Sequence, residues 1–342
     1  MMTKQPTLDL AALERWLSTR ATVRGPLSAE RIGGGQSNPT FHVRAGADRW
    51  VLRKKPPGVL VPSAHAVERE YRVIHALANT DVPVPPLVGL CEDPAVLGTA
   101  FYVMEHVDGR VLWDPALPEV SAAERGAMYE SLNRVLAVIH SVDLSATGLG
   151  DYGKPGNYFE RQVGRWSKQY RATNEFRIES MDALCEWLAA NIPDTDETAL
   201  IHGDYRLDNV MFHPTEPRIV AVLDWELSTL GHPLADVAYQ AMTWRFFPGD
   251  FRGMGGRDLA ALGIPSERAY LEAYSARTGR ALPDGALWEF AIVCSMFRLA
   301  AILHGIALRA AQGNAVGDNA VATGQSARVI ADLAWEQVDH LR

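Results

Sequence analysis

The 342-residue sequence predicts an α+β chain with two lobes, a small sheet-rich N-terminal lobe and a larger, mostly helical C-terminal lobe. Three observations predict this. Up to about residue 107, short apolar runs are broken by glycine and proline, as in strands joined by turns. Beyond about residue 120, long segments repeat apolar residues at helical spacing. The block 200–226 then interrupts the helices with two short apolar runs and a cluster of polar residues: His202, Asp204, Asp208, Asn209 and Asp224. The change of character near 105–110 sets expected domains of 1–106 and 107–342.

Each element has its own signal. Leu8–Arg20 has helical periodicity and stops before Gly25-Pro26. "RIGGGQSNPTFHV" reads as a glycine-rich turn entering a strand, and "RWVLRKKPPG" as a second strand stopped by Pro56-Pro57-Gly58. The two strands can form a hairpin through Gly46. "SAHAVEREYRVIHALANT" reads as a helix capped by Ser63, "VPVPPLVGLCED" as an extended proline-fixed connector, and "TAFYVMEHVDGRVL" as a strand ending at Gly109. Helices are expected at 121–141, 157–172, 180–191, 233–245, 266–278 and 286–312. In the last of these, Glu289, Arg298 and His304 interrupt "LWEFAIVCSMFRLAAILHGIAL", which favours a buried core helix over a membrane span. No internal repeat or low-complexity linker is visible.

Composition narrows the function classes. A 47% hydrophobic and 22% charged chain can bury a sizeable core. Cys91, Cys185 and Cys294 are far apart and form no CxxC pair, so neither a disulfide framework nor a metal–sulfur site is expected. A reducing cytoplasmic setting is the simplest one for such thiols. The net charge of −8 argues against a nucleic-acid partner. "MMTKQPTLDLAALERW" has no apolar stretch before a cleavage site, so no secretory signal and no membrane partner are expected.

The chemistry concentrates at 202–224. Asp204 and Asn209 are five residues apart, and Asp224 follows the run "RIVAVL". If the two runs pair as a hairpin, all three side chains converge. Carboxylates with an amide oxygen are hard ligands that suit Mg²⁺, with phosphate oxygens completing the shell. A further carboxylate beside a hydroxyl can accept or orient its proton. Alone, each of these residues is an ordinary turn or capping residue. The ordered set HGDxxxxN, however, arises by chance in on the order of one in a thousand chains of this length. A metal-dependent hydrolase would bring histidines among the ligands or a second carboxylate cluster. His202 and His213 lie close by in sequence, but the HGDxxxxN order fits phosphoryl transfer better.

HGDxxxxN followed by Asp224-Trp225 resembles the aminoglycoside phosphotransferase and choline kinase superfamily, which has a protein-kinase-like fold. The resemblance covers most of the chain. It implies a catalytic base at Asp204, Mg²⁺ ligands at Asn209 and Asp224, and a loop-packing role for His202. Asp236 in "GHPLADVAYQ" matches a position that braces the catalytic loop. No role is implied for Asp208, and Glu226 is left between supporting the metal and capping a turn. In "WVLR", Arg53 takes the register of the kinase strand lysine, with Glu70 of "VERE" as its partner; Lys54 would face the other way. "GGGQSN" departs from GxGxxG, yet Gly34 and Gly35 would let backbone N–H groups approach phosphate, with Ser37 and Asn38 nearest the nucleotide. Glu105 and Val107 fall where the family's hinge meets adenine through backbone groups. "DWE" in place of DFG, with no APE segment after it, points to a small-molecule kinase using ATP and Mg²⁺. A nucleotide-binding pseudoenzyme would be expected to lack Asp204, Asn209 or Asp224, and all three are present.

Two further segments, "DYGKPGNYFERQVGRWSKQY" and "FRLAAILHGIALRAAQGNA", are similar to a subgroup of this superfamily. The subgroup includes the kinase-like domain fused to certain acyl-CoA dehydrogenases. This implies a hydroxyacyl-CoA or hydroxy acid as acceptor. Arg161, Arg298 and Arg309 are then candidate substrate residues; a helix-to-helix arginine brace is the alternative reading, with Trp166 as core. An aminoglycoside or macrolide is the alternative acceptor.

Overall fold

The computed structural model describes residues 8–33, 38–57, 66–311 and 320–339. Their contacts divide the chain into two compact units. One runs to Gly109 and takes in Val220–Glu226; the other comprises Arg110–Ile219 and the chain from Leu227 onward. The fold class is α+β, with an antiparallel sheet in the first unit and helices dominating the second.

The first unit begins with α1 (Leu10–Leu17), whose cap Asp9 accepts the Ala12 N–H at 2.9 Å. β1 (Ser28–Arg31), β2 (Thr40–Ala45), β3 (Asp48–Lys54), β4 (Leu87–Cys91) and β5 (Phe101–Glu105) form one antiparallel sheet in the order β1-β2-β3-β5-β4. The β2–β3 hairpin turns through Gly46 at φ +60°, where an added Cβ would meet Arg24 O at 2.6 Å. Strand alternation sends Phe41, Val43, Ala45, Trp50 and Leu52 into a core that α1 covers with Leu13 and Leu17. α2 (Val67–Leu77) buries Val67, Glu70, Val73, Ile74 and Leu77, a helical stripe with one carboxylate in it. Its cap residue is Ala66, which makes no side-chain bond; the expected cap Ser63 lies outside the described residues. The proline-rich "connector" becomes β4 once past Pro86. As an edge strand it needs only one partner, which tolerates the preceding prolines. A short helix, α3 (Pro94–Leu97), leads into β5.

The second unit holds α4 (Ala122–His140), α5 (Tyr158–Tyr170), α6 (Glu179–Ala190), β6 (Ala199–Ile201) and β7 (Val210–Phe212). β8 (Ile219–Val222) passes from this unit to the first, and β9 (Thr229–Gly231) returns to pair antiparallel with β6. Then follow α7 (Leu234–Ala241), the short α8 (Leu259–Leu262), α9 (Glu267–Thr278), α10 (Gly285–Ala311) and α11 (Ala320–Asp339). All six expected helices are present. α10 is the one helix among the described residues long and apolar enough to cross a membrane, and 78% of that window is buried inside the protein. α11 was not expected. Its packing stripe, Ala327, Ile330, Ala331, Ala334 and Val338, has helical spacing, but alanine carries most of it.

Candidate active site

The helical unit presents the loop His202–Asn209 between β6 and β7. Gly203 sits at φ +82°, and an added Cβ would meet Leu227 O at 2.4 Å, so the turn admits only glycine. The backbone is clamped from beneath by Asp236 at the start of α7. Its Oδ2 accepts the His202 N–H at 2.6 Å and its Oδ1 the Gly203 N–H at 2.8 Å. His140 Nε2 adds a contact to Oδ2 at 3.3 Å, while His140 Nδ1 meets the Tyr274 hydroxyl at 2.7 Å. A carboxylate only accepts, so Nε2 carries the proton and Nδ1 accepts from the tyrosine. Burial lowers the pKa of His140, outweighing Asp236, and keeps the ring neutral. Burial opposes ionisation of Asp236, but His140 and the backbone donors outweigh it and hold the carboxyl below its usual range. His202 is fully buried, and its Nδ1 accepts the Asp204 N–H at 3.2 Å.

On this floor stands Asp204. Its Oδ2 accepts from Asn209 Nδ2 at 2.7 Å, and the same amide donates to Asp204 O at 2.8 Å. Asn209 therefore keeps its amide oxygen for another partner. Tyr239, three residues after Asp236 and one turn along α7, lies near Asp204, whose charge adds to burial in raising the tyrosine's pKa. Arg206 Nε lies 3.4 Å from Asp204 Oδ1. Asp208 is buried, accepts from Arg252 Nη1 at 2.6 Å and lies 3.2 Å from Arg206 Nε, so its role is to hold the loop.

The sheet unit presents a second constellation. The register pairs Arg53 with Tyr102 and Lys54 with Phe101, so parity sends Arg53 toward α2 and Lys54 away from it. Lys54 Nζ donates to Leu97 O instead. Arg53 Nε lies 2.7 Å from Glu70 Oε2, and Arg53 Nη2 donates to Asp224 Oδ1 at 2.7 Å and to Glu226 Oε2 at 3.4 Å. Asn38 Nδ2 donates to Glu70 Oε1 at 2.7 Å and the Tyr102 hydroxyl to Oε2 at 3.2 Å. Burial raises the pKa of Glu70 well above the usual carboxylate range, against the pull of Arg53, and Asp224 and Glu226 raise it further. Asp224 has φ +59°, a left-handed conformation that aspartate tolerates better than most residues.

The sequence-derived residues thus fall into two groups. Arg53, Glu70, Asn38, Asp224 and Glu226 meet in the sheet unit; Asp204 and Asn209 meet in the helical unit. The Asn38 side chain is turned to Glu70 and buried, so it positions the ion pair instead of reaching outward. Gly34, Gly35 and Ser37 lie outside the described residues. At the end of β5 the Glu105 N–H is taken by Pro86 O at 2.8 Å, while the Val107 N–H has no backbone acceptor among the described residues. Arg161 donates to Lys154 O at 2.6 Å, holding its own loop. Arg309 is exposed near the end of α10, and Trp166 is core. Sequence reasoning missed Tyr102, His140 and Tyr239. The helical spacing of Tyr239 from Asp236 was the available signal.

Three carboxylates around one guanidinium leave a surplus of negative charge, which fits a divalent cation. Among the described residues no three His, Cys, Asp or Glu side chains stand ready to hold a metal alone. The donor set therefore suits a cation that arrives with phosphate oxygens of its own.

A family model described as the phosphotransferase enzyme family matches residues 28–288. The chain is 45% identical over 332 residues to mouse acyl-CoA dehydrogenase family member 10, covering 95% of this chain and 31% of the relative. It is 44% identical over 322 residues to the Arabidopsis thaliana protein named probable acyl-CoA dehydrogenase IBR3, covering 89% of this chain and 39% of the relative. The chain thus spans well under half the length of these curated relatives. A crystal structure from Ralstonia eutropha JMP134, described with aminoglycoside phosphotransferase as its candidate activity, superposes at TM-score 0.88 with 51% identity over 98% of this chain and 99% of its own. The aminoglycoside phosphotransferase APH(4)-Ia in complex with AMP-PNP and hygromycin B shares the fold at TM-score 0.60 and 17% identity, over 95% of this chain and 98% of its own.

Proposed function

Because this chain belongs to the phosphotransferase enzyme family, we propose that it moves the γ-phosphoryl group of ATP, with Mg²⁺, to a hydroxyl of a small molecule. The observation that carries the reading is the His202–Asn209 loop: Asp204 is held by Asn209 on a backbone clamped by Asp236. Asp204 orients the acceptor hydroxyl and takes its proton. Arg53, fixed by Glu70, anchors the nucleotide phosphates with two-pronged donors. The Val107 N–H and the Glu105 carbonyl are the groups for the base. Asn209 and Asp224 would hold the metal, which supplies charge neutralisation on the phosphates.

The curated relatives carry acyl-CoA dehydrogenase names, which supports a hydroxyacyl-CoA or hydroxy acid as acceptor. The description of the Ralstonia structure supports the second reading, an antibiotic kinase. Three buried free cysteines fit a reducing cytoplasm. An acceptor screen with purified protein, ATP and Mg²⁺ tests the reading by ADP release and product mass. Asp204→Ala is expected to lower turnover by roughly 10³-fold or more while nucleotide affinity stays within a few-fold. Near-wild-type turnover in that variant would remove Asp204 as the base.

A further inference from the structure

The helical unit holds two adjoining cavities, of about 530 and 230 Å³, which share Thr195, Asp284 and Leu287 in their walls. The larger lies between the end of α6, the approach to β6 and the first turns of α10. Its apolar wall is Trp187 with Phe290, their ring centroids 6.1 Å apart, extended by Pro193 and Leu287. Asp194 and Asp284 border that wall. The smaller cavity is lined by the buried His232 and Tyr274 and by Arg280. Tyr274 holds His140 Nδ1 at 2.7 Å, and Arg280 Nη2 donates to the His140 carbonyl at 2.9 Å. His140 in turn stands between them and Asp236, so these cavities are set apart from Asp204. Arg298, the candidate substrate residue of α10, lines neither cavity: it is buried against Tyr239 and Trp166.

The charges in the walls say what they would take. Among the described residues that line the two cavities, Arg280 is the one cation, and it is spent on Glu197 and the His140 carbonyl. Burial keeps His232 neutral. Asp194 and Asp284 remain, and among the described residues neither makes an ion pair. Asp284 Oδ1 accepts the Leu287 N–H at 2.8 Å at the start of α10, which leaves Oδ2 for another partner. Exposed carboxylates alone are ordinary solvated surface. Here they border an aromatic and aliphatic wall inside a cavity of the size that takes small molecules. A hydrated metal ion gains nothing from such a wall, because it gives up its water reluctantly. An organic ammonium gains twice: ring faces attract its charge, and its methylene stem covers the apolar surface.

We infer that these cavities form a binding site for an aliphatic polyammonium ligand of the spermidine class, with its methylene body on Trp187, Phe290 and Leu287 and its ammonium groups at Asp194 and Asp284. The inference goes beyond the phosphotransferase reading and does not depend on it.

The test is calorimetric titration of the full chain without nucleotide, at constant ionic strength. The probes are spermidine, Mg²⁺ and an uncharged diol of spermidine's length. Wild type is expected to bind one spermidine with a dissociation constant below about 1 mM. D194N/D284N should weaken it at least about tenfold, and Trp187→Leu about threefold. Asparagine caps a helix as well as aspartate, so D284N keeps the start of α10. The charge-matched control is D93N/D258N: both residues cap other helices and line neither cavity, and this variant should bind within about twofold of wild type. No binding by wild type would overturn the inference. So would equal weakening in the two double variants, which would reduce the effect to overall charge. Displacement by Mg²⁺ at the same charge concentration would leave an acidic rim alone, and equal affinity for the diol an apolar gap alone; either result also overturns it.

Discussion

The two constellations solve the problem of a buried charge in opposite ways. Around Asp236, one carboxylate is met by two backbone N–H groups and a neutral histidine. Both oxygens are met by uncharged donors, and the centre's charge has no reason to change. Around Arg53, one guanidinium faces Glu70, Asp224 and Glu226, so negative charge exceeds positive. The first arrangement suits a part that must not move, the floor under the HGD turn. The second suits a part that must accept something positive or exchange partners. The contrast indicates that a buried network's role can be read from whether its charge is closed, before any ligand is seen.

The largest effect should come from Asp236→Ala. It strands two backbone N–H groups and His140 Nε2–H, each worth about 1–3 kcal/mol when buried unpaired, so roughly 5 kcal/mol of stability should be lost. Urea midpoints measure this, and the loss should be much the same at pH 5.5 and pH 8. Arg53→Ala should come next, at about 3–5 kcal/mol, because it leaves the carboxylate of Glu70 buried without its cation. This loss should shrink toward pH 5.5, since protonated Glu70 no longer needs the guanidinium. Equal pH sensitivity in the two variants would break the comparison.

Much of this contrast was legible before the structure. The resemblance to the kinase strand-lysine and helix-glutamate pair pointed to Arg53 and Glu70, and strand parity set Lys54 aside; the structure shows Glu70 inside the buried stripe Val67, Val73, Ile74 and Leu77. The HGD turn was legible as an ordered set, HGDxxxxN followed by Asp224-Trp225, and the structure adds the steric reason for its glycine. The rest was hidden for physical reasons. Nothing in the spelling of Asn38 tells a side chain that reaches outward from one turned inward to Glu70, since both occur at the same turn position. His140 lies 62 residues before His202, and long-range partners leave no local pattern. β4 hid behind its prolines, and α11 behind alanines that score weakly as hydrophobes but pack closely on α10.

The smallest effect separates the units by pH alone. His232, in the helical unit, is buried. Its Nε2 meets the Thr195 hydroxyl at 3.0 Å and its Nδ1 accepts the Leu234 N–H at 3.2 Å. Burial pulls its pKa from 6.5 down to about 4, against the upward pull of Glu197. A histidine with a depressed folded-state pKa stabilises above the unfolded value and loses that contribution as pH falls from 6.5 toward 4, by roughly 3 kcal/mol at most. Glu70 has the opposite sign. Its raised pKa means its contribution is complete below the unfolded value near 4.5 and is lost as pH rises through the folded one. Thermal midpoints from pH 4 to pH 8 should therefore show His232→Gln flattening the acid side of the profile and Glu70→Gln flattening the side above it. A His232→Gln profile that still falls as steeply in acid would mean that the acid sensitivity of the helical unit lies elsewhere, with His140 beside Asp236 the next group to replace.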